Sequence, residues 1–140
     1  MDKEAVIAWL EQIKKLDELI RAKEDDIADI IERATKITAS LDGMPHCGGK
    51  SDKVGDGAVK LAEMDSAELD SLKQQRQYII DTIKLLPADE FGVLRREFVR
   101  GMTKEQIAFA MNYGLSTIRR RRENALRLLG EILEKKGDRF

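Results

Sequence analysis

The 140-residue chain balances 25 Lys/Arg against 26 Asp/Glu, is 42% hydrophobic, and has two prolines, one cysteine and few aromatic residues. That length admits one ordinary domain, or a small domain with an elongated helical arm, and the composition favours an all-α protein of high surface charge. Cys47 stands alone, which excludes an internal disulfide, and no apolar run approaches the ~20 residues that a membrane span needs. Met1-Asp2-Lys3-Glu4 is too charged to open a secretory leader, so a cytosolic protein is expected.

Charge is unevenly spread. Residues 1–86 hold 13 Lys/Arg and 18 Asp/Glu, a net of −5, and residues 87–140 hold 12 and 8, a net of +4. An acidic segment repels nucleic acid, and a basic one attracts it. The expected division is a coiled-coil hairpin arm over 1–86 and a second domain over 87–140.

The first element is a helix over about residues 2–41. Val6, Trp9, Ile13, Leu16, Ile20, Lys23, Ile27, Ile30, Ala34, Ile37 and Leu41 follow alternating steps of three and four, a heptad seam interrupted once by Lys23. Leu10, Leu19 and Ile31 widen the stripe. A glycine-rich connection over 42–57 follows, and then a second helix over about 58–86. Its stripe is Ala58, Leu61, Ala62, Leu69, Leu72, Ile79, Ile83 and Leu86, interrupted by Asp65 and Arg76. The two helices pair as an antiparallel coiled-coil hairpin. The first stripe is wider than one partner needs, so the arm is expected to make a homodimer through Trp9, Ile13, Leu16, Ile20 and Ile27.

The connection invites two sharper readings, and both fail on spacing. His46 and Cys47 supply only two metal ligands, and the chain has no other Cys or His, so no metal is expected. Gly48-Gly49-Lys50-Ser51 lacks the first glycine and the preceding strand of a phosphate-binding loop. No cofactor is expected. No nucleophile, base or carboxylate pair stands out, which argues against an enzyme.

Residues 103–129, TKEQIAFAMNYGLSTIRRRRENALRLL, carry the most information. Thr103 and Gln106 have capping-box spacing, and Gly101 just before them ends the preceding helix. Ile107, Ala108 and Met111 make a short apolar stripe, with Ala108 small enough for a second helix to cross closely. Asn112 and Gly114 bracket Tyr113 in a tight turn. A second helix then runs from about residue 115, with Ile118, the stem of Arg122, Ala125, Leu126 and Leu129 facing inward. The pattern is a helix-turn-helix, whose second helix enters the major groove of double-stranded DNA. The expected contacts are Leu115, Ser116, Thr117, Arg119, Arg120, Arg121 and Arg122, with Lys104 on the first helix. Arginine suits that place because it can bond guanine through two donors. Arg95, Arg96 and Arg100 either reach phosphates or pair with Glu97 and Asp89.

From Leu86 to Leu129 the chain resembles the C-terminal DNA-binding region, region 4, of bacterial sigma factors. The resemblance rests on Leu86-Pro87, Val93-Leu94, Gly101-Met102-Thr103, Gln106-Ile107-Ala108, Ile118 and Ala125-Leu126. The whole chain is similar to small phage proteins that join an N-terminal coiled coil to this module and are related to late-gene regulators of the ArpU and RinA type. There the matching residues are Ser40-Leu41-Asp42-Gly43-Met44-Pro45, Gly48-Gly49 and Asp52-Lys53. Asn112 and Gly114 replace the usual glycine and capping serine, and Arg121 stands where an apolar residue is usual. The resemblance implies a DNA-binding transcription regulator, a phage late-gene activator or sigma-like factor in the cytoplasm of a bacterial host, with host RNA polymerase as a further partner. Two other functions fit the pattern. A small terminase subunit also joins a helix-turn-helix to an oligomerising coiled coil, and an adaptor would turn the same fold against RNA polymerase.

Overall fold

A computed structural model describes the backbone of residues 2–41 and 48–137, and their side chains except those of 37–56 and 58. The fold is all-α, with no strand among the described residues. Its order is α1 (Lys3–Leu41), α2 (Gly48–Ile83), α3 (Ala88–Leu94), a π-helical turn (Arg95–Val99), α4 (Lys104–Met111) and α5 (Leu115–Lys136). No described helix is long and apolar enough to cross a membrane.

The second helix begins at Gly48, about ten residues before its expected start. Glycine weakens a helix without forbidding it, and no proline stands between residues 46 and 86 to remove a backbone donor. Most of the expected 42–57 connection is therefore helical. The readings of His46 and Cys47 fall outside the described residues, and so do those of the Lys50 and Ser51 side chains.

The chain divides into two compact units, Met1–Leu16 with Gln75–Phe140, and Asp17–Gln74. The boundary does not fall at 86/87. By sequence the first unit holds 17 Lys/Arg and 12 Asp/Glu, a net of +5, and the second holds 8 and 14, a net of −6.

The basic unit contains every buried residue described. Val6, Trp9, Leu10, Ile13 and Leu16 come from the start of α1. Ile79, Thr82, Ile83 and Leu86 come from the end of α2 and the turn after it. Glu90, Gly92, Val93, Leu94, Ile107, Ile118, Ala125, Leu126, Leu129, Gly130 and Leu133 complete the set. The ends of this unit are tied as well. Lys3 of α1 pairs with Glu123 of α5. Lys136 at the end of α5 donates to the Thr82 hydroxyl at 3.4 Å and lies 5.1 Å from the centre of the Tyr78 ring.

This corrects the expected oligomer seam. Trp9, Ile13 and Leu16 are buried within one chain, because the start of α1 belongs to the core that the helices after Pro87 complete. Ile20 and Ile27, in the acidic unit, are half-buried.

In the acidic unit α1 and α2 lie side by side. Leu19, Ala22, Lys23 and Asp26 of α1 line one groove with Glu68, Ser71 and Leu72 of α2. Lys23 bonds Asp65 at 3.1 Å and also pairs with Glu68. The polar interruption of the first stripe thus meets one interruption of the second. These two carboxylates hold the Lys23 ammonium above its ordinary pKa. No described residue of this unit is buried, and Leu19, Ile31, Val59, Leu61 and Met64 are exposed.

Candidate functional site

The site is built on α3, the π-turn, α4 and α5. Val93, Ile107 and Ile118 form its buried centre, with Met102, Ala108 and Met111 packed against them. One residue from each of three helices meets there, which fixes the crossing of α4 and α5. Gly92 contributes by its lack of a side chain. A Cβ there would stand 2.9 Å from an Arg96 Nη and 3.2 Å from the Met111 Cε.

Local chemistry sets each boundary. The Thr103 hydroxyl accepts from the Gln106 N–H at 3.2 Å, and the Gln106 side chain accepts from the Thr103 N–H at 2.9 Å. This is the expected capping box, and it starts α4. Gly101 has φ +68°, and the Met102 N–H returns to the Arg96 carbonyl at 3.0 Å, which closes the π-turn. Asn112 ends α4 in the left-handed region at φ 58°, ψ 42°. Gly114 is different: at φ −72°, ψ 156° it caps α5 from extended backbone and gives no side-chain acceptor. The turn uses the positive φ of Asn112 alone.

On α5 the expected inward face is present, with Ile118, Ala125, Leu126 and Leu129 buried. Ser116, Arg119 and Arg120 are exposed, and Leu115 and Thr117 half-buried. Lys104 opens α4 half-buried, and its charge helps hold the Glu123 carboxyl down, after the larger effect of Lys3.

The four-arginine run splits in two. Arg121 donates to the buried Glu90 at 3.1 Å and lies 3.6 Å from Asp89. Arg122 donates its Nε–H to both Glu97 oxygens at 2.9 Å. Their side chains are 36% and 15% exposed. The expectation that both contact DNA directly is therefore corrected, since each is engaged by a carboxylate of its own fold. Arg119 and Arg120 make no hydrogen bond or ion pair among the described residues.

Glu90 is the residue that sequence reasoning missed. It is 2% exposed and also accepts from the Asn124 side chain at 3.0 Å. Burial pushes its carboxyl up, but the donors Asn124, its own backbone and Arg121 outweigh burial and leave it below its ordinary pKa. The same carboxylate holds the Arg121 guanidinium above its own. A signal was present. Glu90, Val93 and Glu97 share one face of a helix at i, i+3 and i+7, so a carboxylate on an apolar stripe required a cation opposite.

The same pairing settles the other arginines. Asp89 accepts from the Tyr113 hydroxyl at 3.2 Å and faces Arg121, and Glu97 is taken by Arg122. Arg96 donates to the Gly92 carbonyl at 3.2 Å. Arg95 and Arg100 are exposed and, among the described residues, have no acidic partner. On the outer side of α4, Phe109 is 90% exposed.

Comparison of the chain with family models, curated proteins and solved structures finds no match.

Proposed function

We propose that this chain is a DNA-binding transcription regulator, by its resemblance a phage late-gene activator or sigma-like factor acting in the cytoplasm of a bacterial host. The observation that carries the reading is the pair Arg119 and Arg120. They are exposed and uncommitted on the first turns of the second helix after a tight turn, in a unit of net charge +5. That is where a recognition helix meets base edges. Ser116 stands on the same turns. Exposed Arg95 and Arg100 would reach backbone phosphates, which fix register without reading sequence. The acidic unit, at −6, is repelled by DNA and serves association with protein. Its exposed Leu19, Ile31 and Met64 support a homodimer through this part of the arm, and two modules would then read two half-sites. No catalytic role is proposed.

A salt-titrated binding assay on random and native-locus DNA tests this, with Arg119→Ala/Arg120→Ala beside the wild type and mass read by light scattering. Neutralising about five phosphates lowers affinity a few hundredfold between about 50 and 200 mM salt. The double variant is expected to lose site preference. A flat salt response sinks the reading, and a ring of many subunits moves it to DNA packaging by a small terminase subunit. Phe109 favours one second reading, an adaptor that meets a protein such as RNA polymerase through α4. DNA binding absent at low salt, with function retained in the arginine variant, supports it.

A further inference from the structure

Seven arginines stand between residues 95 and 122, and their own carboxylates decide which of them are free. Arg121 is held by Glu90 and Asp89, and Arg122 by Glu97. Asp89 is further fixed by the Tyr113 hydroxyl, and Glu90 by Asn124. The acids sit on α3 and the π-turn, and the arginines on α5. Each pair therefore joins two elements and fixes the rotation of α5 about its axis. A bare run of four arginines would bind any phosphate backbone, because counterion release does not depend on sequence.

We infer that Glu97, with Asp89 as a weaker second, is a specificity-determining residue: Glu97 withholds Arg122 from phosphates, Asp89 occupies the open edge of Arg121, and together they confine the DNA footprint of α5 to its first turns. The inference rests on the DNA-binding reading above. It assigns to these acids a function opposite to that of an ordinary stabilising pair, since their removal strengthens binding. The geometry allows it. Asp89 and Arg121 are each over a third exposed, and the Glu97–Arg122 pair lies at 2.9 Å with about a fifth or less of either side chain open to solvent. Buried Glu90 keeps its own bond to Arg121 when Asp89 loses its charge, so Glu97→Gln carries the larger expected change.

The test compares the full chain with Asp89→Asn, Glu97→Gln and the double variant on random and native-locus duplexes across a salt series. Glu4→Gln/Glu11→Gln, two exposed substitutions on α1 with the same change in net charge as the double variant, is the control. Each arginine released to a phosphate adds about 0.9 to the slope of log affinity against log salt, or about a threefold larger loss between about 50 and 200 mM. The double variant is expected to bind random DNA several-fold more tightly than the wild type at low salt. Its preference for the native locus should fall, and the control should change neither. Glu97→Asp keeps the charge and is expected to restore the wild-type slope. Urea unfolding of each variant reports the fold separately. Weaker binding in step with lost stability, or an unchanged slope in a folded double variant, overturns the inference. Absence of salt-dependent binding in the wild type removes the DNA reading itself and this inference with it.

Discussion

The two compact units are built from the same long helices yet differ in what they bury. The basic unit takes the first turns of α1 and the last turns of α2 into a core with α3, α4 and α5, where Leu10, Ile13, Ile83 and Leu129 are all but inaccessible. The acidic unit has the same heptad pattern, but its described apolar residues are at best half-buried. Two helices cover only one stripe of each other, whereas additional helices close the remaining sides. A heptad seam thus gives apolar periodicity, and the number of neighbours decides whether it becomes a core.

The largest expected effect breaks that comparison most directly. Trp9→Ala should cost about 3–5 kcal/mol as a buried aromatic truncation, whereas half-buried Ile27→Ala should cost only about 1 kcal/mol. Urea unfolding at several protein concentrations separates the two. The Trp9 loss is expected to be independent of concentration, because its partners lie in its own chain. A concentration-dependent Trp9 loss would return that residue to an oligomer seam.

Glu90→Gln comes next. It removes the buried charge that faces Arg121 and should cost about 2 kcal/mol at neutral pH. The folded carboxyl lies below its ordinary pKa, so its contribution is present above the unfolded value and is lost as pH falls through the folded one. The gap between wild type and variant should be widest near pH 7 and close as the solution is acidified below the ordinary carboxylate range. A gap that persists there would mean that lost packing, not charge, causes the effect.

The smallest effects sharpen the account of the turn. Asn112→Ala places an ordinary side chain at φ 58° and should cost about 1 kcal/mol. Gly114 needs no positive φ, and nothing lies within 4 Å of a Cβ there. Gly114→Ser should therefore stabilise by a few tenths of a kcal/mol, by adding the side-chain cap that α5 lacks. Thermal unfolding of both variants checks the pair. A destabilised Gly114→Ser would show that the turn uses glycine for something other than capping.

Much of the candidate site was legible locally. The capping box at Thr103 and Gln106, the break at Gly101, the turn at Asn112 and the inward face of α5 depend on spacing within one or two helical turns, and spacing is written in the chain. The π-turn over 95–99 and the partners of Arg121 and Arg122 were not legible. Each arginine meets an acid more than twenty residues away, and a run of four identical side chains has no internal mark of which ones turn inward.

By itself the sequence determined an all-α chain, the long first helix, the two-helix element around the turn and the segregation of charge, because periodicity, capping and charge are properties of neighbouring residues. Only the tertiary structure decided that Trp9, Ile13 and Leu16 close a core within the chain, that Lys23 meets Asp65, and that two of four arginines are held by carboxylates. Burial and ion pairing depend on which distant surfaces come together, and a stripe or a charge in the sequence does not name its partner.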